Sequence, residues 1–123
     1  MKRILFATVL CAAAASAMAA DAEGAYWSQR PESCREFRRL QSSEERTPAL
    51  MNIRGWIAGY ITAFNRQTQD TYDVLGITDF EAAMRFIDGY CKAHPMDNLT
   101  TAMEALTEDL YPKRHRTRRQ AGH

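Results

Sequence analysis

The sequence predicts an all-α fold, a small four-helix domain with one disulfide bond. Apolar residues recur at alternating intervals of three and four along three segments, which is the pattern of helices that bury one face. No segment alternates apolar and polar residues over the useful length of a strand. Two cysteines, Cys34 and Cys91, remain after a predicted export signal is removed, and they are predicted to pair.

The first segment, 1–19, has the features of a cleaved signal peptide. Basic residues precede an apolar run at 4–15, and a cleavage motif with small residues ends at Ala19. The run is too short and too rich in alanine for a stable membrane span. Lipidation at Cys11 is disfavoured, because Leu10 stands where a lipoprotein signal needs a small residue. The sequence therefore predicts an exported protein.

Export places Cys34 and Cys91 in an oxidising compartment, which favours a disulfide bond between them. The two cysteines are 57 positions apart, and closing that loop is expected to stabilise the fold by about 4 kcal/mol through the lost entropy of the unfolded chain. The alternative is a pair of free buried thiols, which is uncommon in an exported protein.

The chain after the signal divides into an acidic body and a basic tail. Residues 20–112 include 9 basic and 15 acidic residues, whereas 113–123 include five basic residues and no acidic ones. The tail has almost no apolar residues and is predicted to be disordered. In an exported protein, anionic lipid or an envelope polymer suits such a tail better than nucleic acid does. A solubilising role is favoured over either.

The chain that follows the signal begins with a polar leader and a short helix. Residues 20–32 are predicted to be loose, with Tyr26 and Trp27 packing back on the body. The first helix is predicted at 33–40, with Cys34 on its inner face.

The longest helix is predicted to begin at Pro48, after an N-cap at Thr47, and to run to about Gln67. Gly55 and Gly59 cost stability inside a helix, so their presence predicts that another helix crosses closely there. The helix has an apolar stripe, which we expect to form the centre of the core. The residues of that stripe are Leu50, Ile53, Trp56, Ile57, Tyr60, Ile61 and Phe64.

Two further helices complete the predicted domain, 33–112. The third opens with a capping box in which Thr78 and Glu81 bond reciprocally, and Pro95 stops it. Its inner face contains Phe80, Met84, Ile87 and Cys91. The fourth is predicted to start at Pro95 or Asp97 and to end at Pro112. Its inner face contains Leu99, Met103, Leu106 and Leu110.

No catalytic constellation is evident, so the chain is not predicted to be an enzyme, and no cofactor or metal is expected. His94 lies at a helix end, where a histidine satisfies carbonyls more often than it acts as a base. Cys91 and His94 have half of a zinc-ligand spacing, but no second pair accompanies them.

Three segments resemble the HdeA/HdeB family, small periplasmic acid-stress chaperones of Gram-negative bacteria. They are Ser-Cys-Arg-Glu-Phe at 33–37, Thr-Pro at 47–48 before a tryptophan-bearing helix, and Tyr-Cys-Lys-Ala-His-Pro-Met-Asp-Asn-Leu-Thr-Thr at 90–101. The resemblance covers about 33–111, and its most specific part is the segment that contains Cys91. The basic tail and the glycine-rich stretch from Gly55 to Gly76 depart from the family pattern.

The resemblance implies an all-helical fold whose disulfide joins Cys34 to Cys91. It also implies a dimer at neutral pH that loosens in acid, exposes apolar surface and holds unfolded proteins in solution. We therefore expect a periplasmic chaperone with unfolded periplasmic proteins as partners, a homodimer, no nucleic-acid binding and no stable membrane insertion. The expected client-binding surface is the apolar face of the long helix, formed by Leu50, Ile53, Trp56, Ile57, Tyr60 and Phe64.

A second family is also similar, the Rap1a/Tai immunity proteins, which are exported helical proteins that block secreted cell-wall amidases. They share a Gly-Tyr helix and a later helix ending in His-Pro, as at 59–60 and 94–95 here. They usually carry more cysteines than this chain. Immunity is therefore the alternative function, and a structural envelope protein without enzymatic activity is a third.

Overall fold

Four helices and one short 3₁₀ turn form the regular structure of the residues that the computed structural model describes, which are 20–29, 32–43 and 46–122. The predicted signal peptide lies outside these residues. No strand occurs in the described segments, so the predicted all-α class is confirmed. In chain order the elements are α1 (Cys34–Gln41), α2 (Pro48–Gln67), α3 (Phe80–Ala93), α4 (Leu99–Leu110) and the 3₁₀ turn Tyr111–Lys113.

The first two helices begin where side-chain caps are available. Ser33 accepts a hydrogen bond from the amide of Glu36 at the start of α1. Thr47 accepts from the amide of Leu50 at the start of α2, and Pro48 occupies the first helical position, as predicted. Both caps satisfy amides that lack a partner within the helix.

The third and fourth helices begin later than predicted. The cap of α3 is Asp79, which accepts from the amide of Ala82, so the predicted capping box at Thr78 is wrong. The amide of Thr78 instead closes a turn by donating to the carbonyl of Leu75. The cap of α4 is Asn98, because the preceding residues form a turn and Asn98 pairs with Ser33 in an isolated bridge.

The core forms where α1 packs on α3, α3 packs on α4, and α2 lies mainly against α1. One loop residue, Val74, is as deeply buried as the helical residues. The largest fully buried side chains are those of Phe37, Ile57, Met84, Ile87, Leu99, Met103, Leu106, Val74, Cys34 and Cys91.

Within the described ranges, nothing covers the outer face of α2 at its glycines. A Cβ atom placed on Gly55 or Gly59 would meet nothing within 4 Å. The predicted close helix crossing at these glycines is therefore wrong. Both residues lie on the side of α2 opposite Ile53 and Ile57, which point into the core.

The leader is tied to α4 by two side-chain contacts. The hydroxyl of Tyr26 donates to Glu104, and the hydroxyls of Ser28 and Thr100 are 2.8 Å apart. Trp27 remains 85% exposed, so of the two leader aromatics only Tyr26 forms such a contact.

The beginning of the basic tail packs against the loop between α2 and α3, which differs from the disorder predicted for 113–123. The backbone of His115 pairs with that of Asp73 through bonds of 2.9 and 3.0 Å. Arg114 donates to the carbonyl of Asp70 at 2.9 Å and stacks on the ring of Tyr111. Backbone polar groups of the loop between α2 and α3 need hydrogen-bond partners, and the tail supplies them. The composition of the tail gives no sign of this contact.

Gly76 allows the tail to approach this loop closely. Its φ angle is +59°, and a Cβ atom there would lie 2.5 Å from the carbonyl oxygen of Lys113. Only glycine fits this position without displacing the backbone.

None of the helices within the described ranges combines the length and apolar character needed to cross a membrane.

Reduction of the Cys34–Cys91 bond is expected to lower the free energy of unfolding by about 4 kcal/mol, because the unfolded chain regains the entropy of an open loop. Urea titration of oxidised and reduced samples at pH 7 measures the difference, with mass spectrometry reporting the redox state. Equal midpoints for the two forms would contradict a stabilising role for the bond.

The substitution Gly76→Ala is expected to destabilise the protein by about 1–3 kcal/mol through backbone strain and the contact with Lys113. Gly24→Ala is the matched control, because Gly24 also has a positive φ but no atom within 4 Å of the position that a Cβ atom would take. Urea midpoints of both variants test this. If both substitutions cost the same, the close approach of Lys113 is not the cause.

Candidate functional site

The disulfide bond joins the start of α1 to the last turn of α3. The sulfurs of Cys34 and Cys91 are 2.05 Å apart, and both residues are fully buried. The predicted pairing is confirmed. Backbone bonds reinforce it, since the amide of Cys34 donates to Asp97 and that of Leu99 donates to Glu32. The disulfide therefore holds α1 and α3 together.

The predicted client-binding residues, which we call the α2 face, are mostly closed off in this structure. Leu50, Ile53 and Ile57 belong to the buried core, and none is more than 6% exposed. The other three, Trp56, Tyr60 and Phe64, are half-buried and pack against that core. A client can reach the whole α2 face only if α2 moves away from the other helices.

Three openings reach the edges of the α2 face. A cavity of about 110 Å³ lies between α1 and α2, with Ile53 and Trp56 in its walls. Tyr60 and Phe64 line two larger open grooves of about 490 and 430 Å³. The outer half of the α2 face is thus already accessible to small apolar groups.

Tyr26 from the leader borders one of these grooves, and its role was not predicted from the sequence. It lines the groove together with Tyr60 and Phe64. Burial and the hydrogen bond to Glu104 raise the pKa of the Tyr26 hydroxyl well above its usual value. The hydroxyl therefore stays protonated and remains a donor to Glu104.

Arg54 and Glu81 connect α2 to α3. Their side chains form an ion pair, and the Arg54 guanidinium also lies 5.1 Å from the centre of the Phe80 ring. In the part of the chain that the structure describes, this is the one ion pair between α2 and another helix. The two residues are 27 positions apart, so no helical spacing in the sequence could reveal the pair.

The far end of α2 is joined to the following loop by Asn65. Its side-chain oxygen accepts from the amide of Val74 at 2.8 Å, and its nitrogen donates to Asp73 at 3.4 Å. These bonds do not require a charge on α2.

The contact between Arg54 and Glu81 depends on pH. The hydrogen bond from Arg54 holds the pKa of the Glu81 carboxyl below its ordinary value of 4.5. A carboxyl whose pKa is lower in the folded state stabilises that state above its ordinary pKa. This stabilisation is lost as the pH falls from about 4.5 through the lower, folded-state pKa. Because Glu81 is well exposed, solvent limits the size of the effect.

The described residues contain no group of three or more histidine, cysteine, aspartate or glutamate side chains placed to hold a metal ion. Cys91 is bonded to Cys34, so its sulfur is not a thiolate ligand. His94 stacks on Tyr90 with ring centres 4.4 Å apart, and its Nδ1 atom lies 4.0 Å from Asp97. The arrangement is that of a capped helix end.

Comparisons with protein-family models, curated proteins and solved structures found no match to this chain. The functional interpretation therefore rests on the residues themselves and on the resemblances described from the sequence.

The substitution Glu81→Gln is expected to lower stability at pH 7, and this loss is expected to shrink as the pH falls below about 4.5, because the parent protein then loses the same charge. Urea midpoints between pH 7 and pH 3 test this, with Glu108→Gln as the control. Glu108 is an exposed α4 carboxylate with no ion pair among the described residues. Parallel pH profiles for the parent and Glu81→Gln would contradict the role assigned to Glu81.

Proposed function

We propose that this protein is a periplasmic holding chaperone that opens in acid and binds unfolded proteins through the α2 face. One observation carries the proposal. An apolar helix is held against a disulfide-linked pair of helices partly by a carboxylate contact, and protonation of that carboxylate in acid removes the charge on which the contact depends. The family resemblance points to the same function.

Acid also changes the charge of the whole chain. Residues 20–123 have 14 basic residues, 15 acidic residues and three histidines, so the formal charge goes from −1 at neutral pH to +17 when every group is protonated. Self-repulsion of this kind opens small domains. Many acidic domains undergo such a change, so charge alone does not identify a chaperone.

The helices differ in how firmly they are joined. The disulfide links α1 to α3, whereas neither α2 nor α4 has a covalent link to another helix in the described residues. Of these two helices, only α2 is held to another helix there by an ion pair that acid can break. We therefore assign the acid-induced opening to α2. Its departure uncovers Leu50, Ile53 and Ile57. The disulfide still joins α1 to α3, so the opened chain does not extend fully.

Unfolded proteins offer apolar side chains of many shapes, and the α2 face suits such partners. It combines aliphatic residues with the larger rings of Trp56, Tyr60 and Phe64. Aromatic side chains contribute large contact areas to protein binding. The grooves beside Tyr60 and Phe64 provide the first contact sites before opening is complete.

Suppression of client aggregation between about pH 2 and 4 tests the proposal, in the range where carboxyl groups become protonated. We expect protection in acid, little at pH 7, and stronger protection from the oxidised form than from the reduced form. Light scattering by an acid-unfolded client protein measures its aggregation with and without this protein.

The double substitution Trp56→Ser and Phe64→Ser is expected to require roughly tenfold more protein for equal protection, as losing about 1.4 kcal/mol of binding would do. Trp27→Ser is the control, because Trp27 is an exposed aromatic outside the α2 face. No protection at any acid pH would refute the chaperone function. Saturable nanomolar binding to a secreted cell-wall amidase would instead indicate an immunity protein.

A further inference from the structure

The end of the basic tail folds into a short capped turn, residues 116–122, which we call the C-terminal turn. The hydroxyl of Thr117 accepts from the amide of Gln120 at 3.3 Å. The side-chain oxygen of Gln120 accepts from the amides of Thr117 and Arg116 at 3.2 and 2.6 Å. This reciprocal pattern is that of a capping box, and it fixes the local backbone.

The turn is joined to the body at its base. The hydrogen bonds that residues 116–122 make in the described structure stay within the turn. Immediately before it, the backbone of His115 pairs with Asp73, and Arg114 is bonded to the loop. The position of the turn relative to the body is therefore set by the fold.

Three arginines on this turn, Arg116, Arg118 and Arg119, are exposed. Their guanidinium groups make no ion pair or side-chain hydrogen bond within the residues that the structure describes. The two cations that precede the turn already have partners. Lys113 pairs with Asp109 at 3.1 Å, and Arg114 donates to the carbonyl of Asp70 in the loop. The three form a cluster of like charge that the fold itself does not need.

Guanidinium groups suit oxyanions, which include phosphates and carboxylates. Their planar donors bind phosphate oxygens in pairs, and they lose less hydration than ammonium groups do. Residues 20–112 have a net formal charge of −6, so the body as a whole repels an anionic partner, whereas the C-terminal turn attracts it.

We propose that the C-terminal turn binds the phosphate groups of anionic lipids at a membrane surface. A membrane surface presents many phosphate groups side by side, so it can contact all three exposed arginines at once. Residues 116–122 contain no aromatic side chain on which nucleic-acid bases could stack. This peripheral contact is independent of the chaperone function proposed above, and either can fail without the other.

Co-sedimentation with vesicles tests the proposal on residues 20–123 at pH 7 and low salt. We expect binding to vesicles of phosphatidylcholine mixed with phosphatidylglycerol, and none to phosphatidylcholine alone. Each arginine near an anionic surface is worth about fivefold in partitioning, so the triple variant R116Q/R118Q/R119Q is expected to bind about a hundredfold more weakly. High salt should abolish the binding of the parent.

The control is R66Q/R85Q/K92Q, which removes three exposed cations from the body and changes the net charge equally. It should retain most of the binding. Equal losses in the two triple variants would refute the assignment to the C-terminal turn. Equally strong binding to phosphatidylcholine alone, or to soluble polyphosphate, would refute the assignment to an anionic lipid surface.

Discussion

The disulfide between Cys34 and Cys91 is the constraint on which the rest of the structure depends. It fixes the start of α1 against the end of α3, at the point where the chain also pairs through backbone bonds. A chain this small buries only a modest core, so a covalent link across a long loop contributes a large part of its stability. The same bond determines which helices stay together when the other contacts weaken.

The link leaves α2 and α4 held to the other helices by non-covalent contacts alone, and in the described residues α2 is the one of the two with an ion pair to another helix. The apolar side chains of α2 complete the core, while one charged contact through Arg54 and Glu81 connects this helix to α3. Burial of the α2 face stabilises the neutral-pH state and hides the surface that we assign to clients. In our proposal, stability at neutral pH and binding in acid therefore use the same residues in two states of the chain.

The sequence was sufficient to predict the features that depend on local residue patterns or on the number of cysteines left after export. Helical periodicity predicted α2, α3 and α4, and export with two remaining cysteines predicted the disulfide. Features that depend on the three-dimensional arrangement of the chain could not be predicted from the sequence. Thr78 and Asp79 are both able to cap α3, and the preceding turn decides between them. The pairing of His115 with Asp73 joins segments whose composition gives no sign of contact.

The central claim is that acid releases α2 while the disulfide keeps α1 and α3 together. Hydrogen exchange of the oxidised protein, resolved by helix at pH 7 and pH 3 and corrected for the intrinsic effect of pH, tests it most directly. We predict that amides of α2 lose their protection at pH 3 while amides near Cys34 and Cys91 keep theirs. Retained protection of α2 at pH 3, or loss of protection in all four helices together, would contradict it.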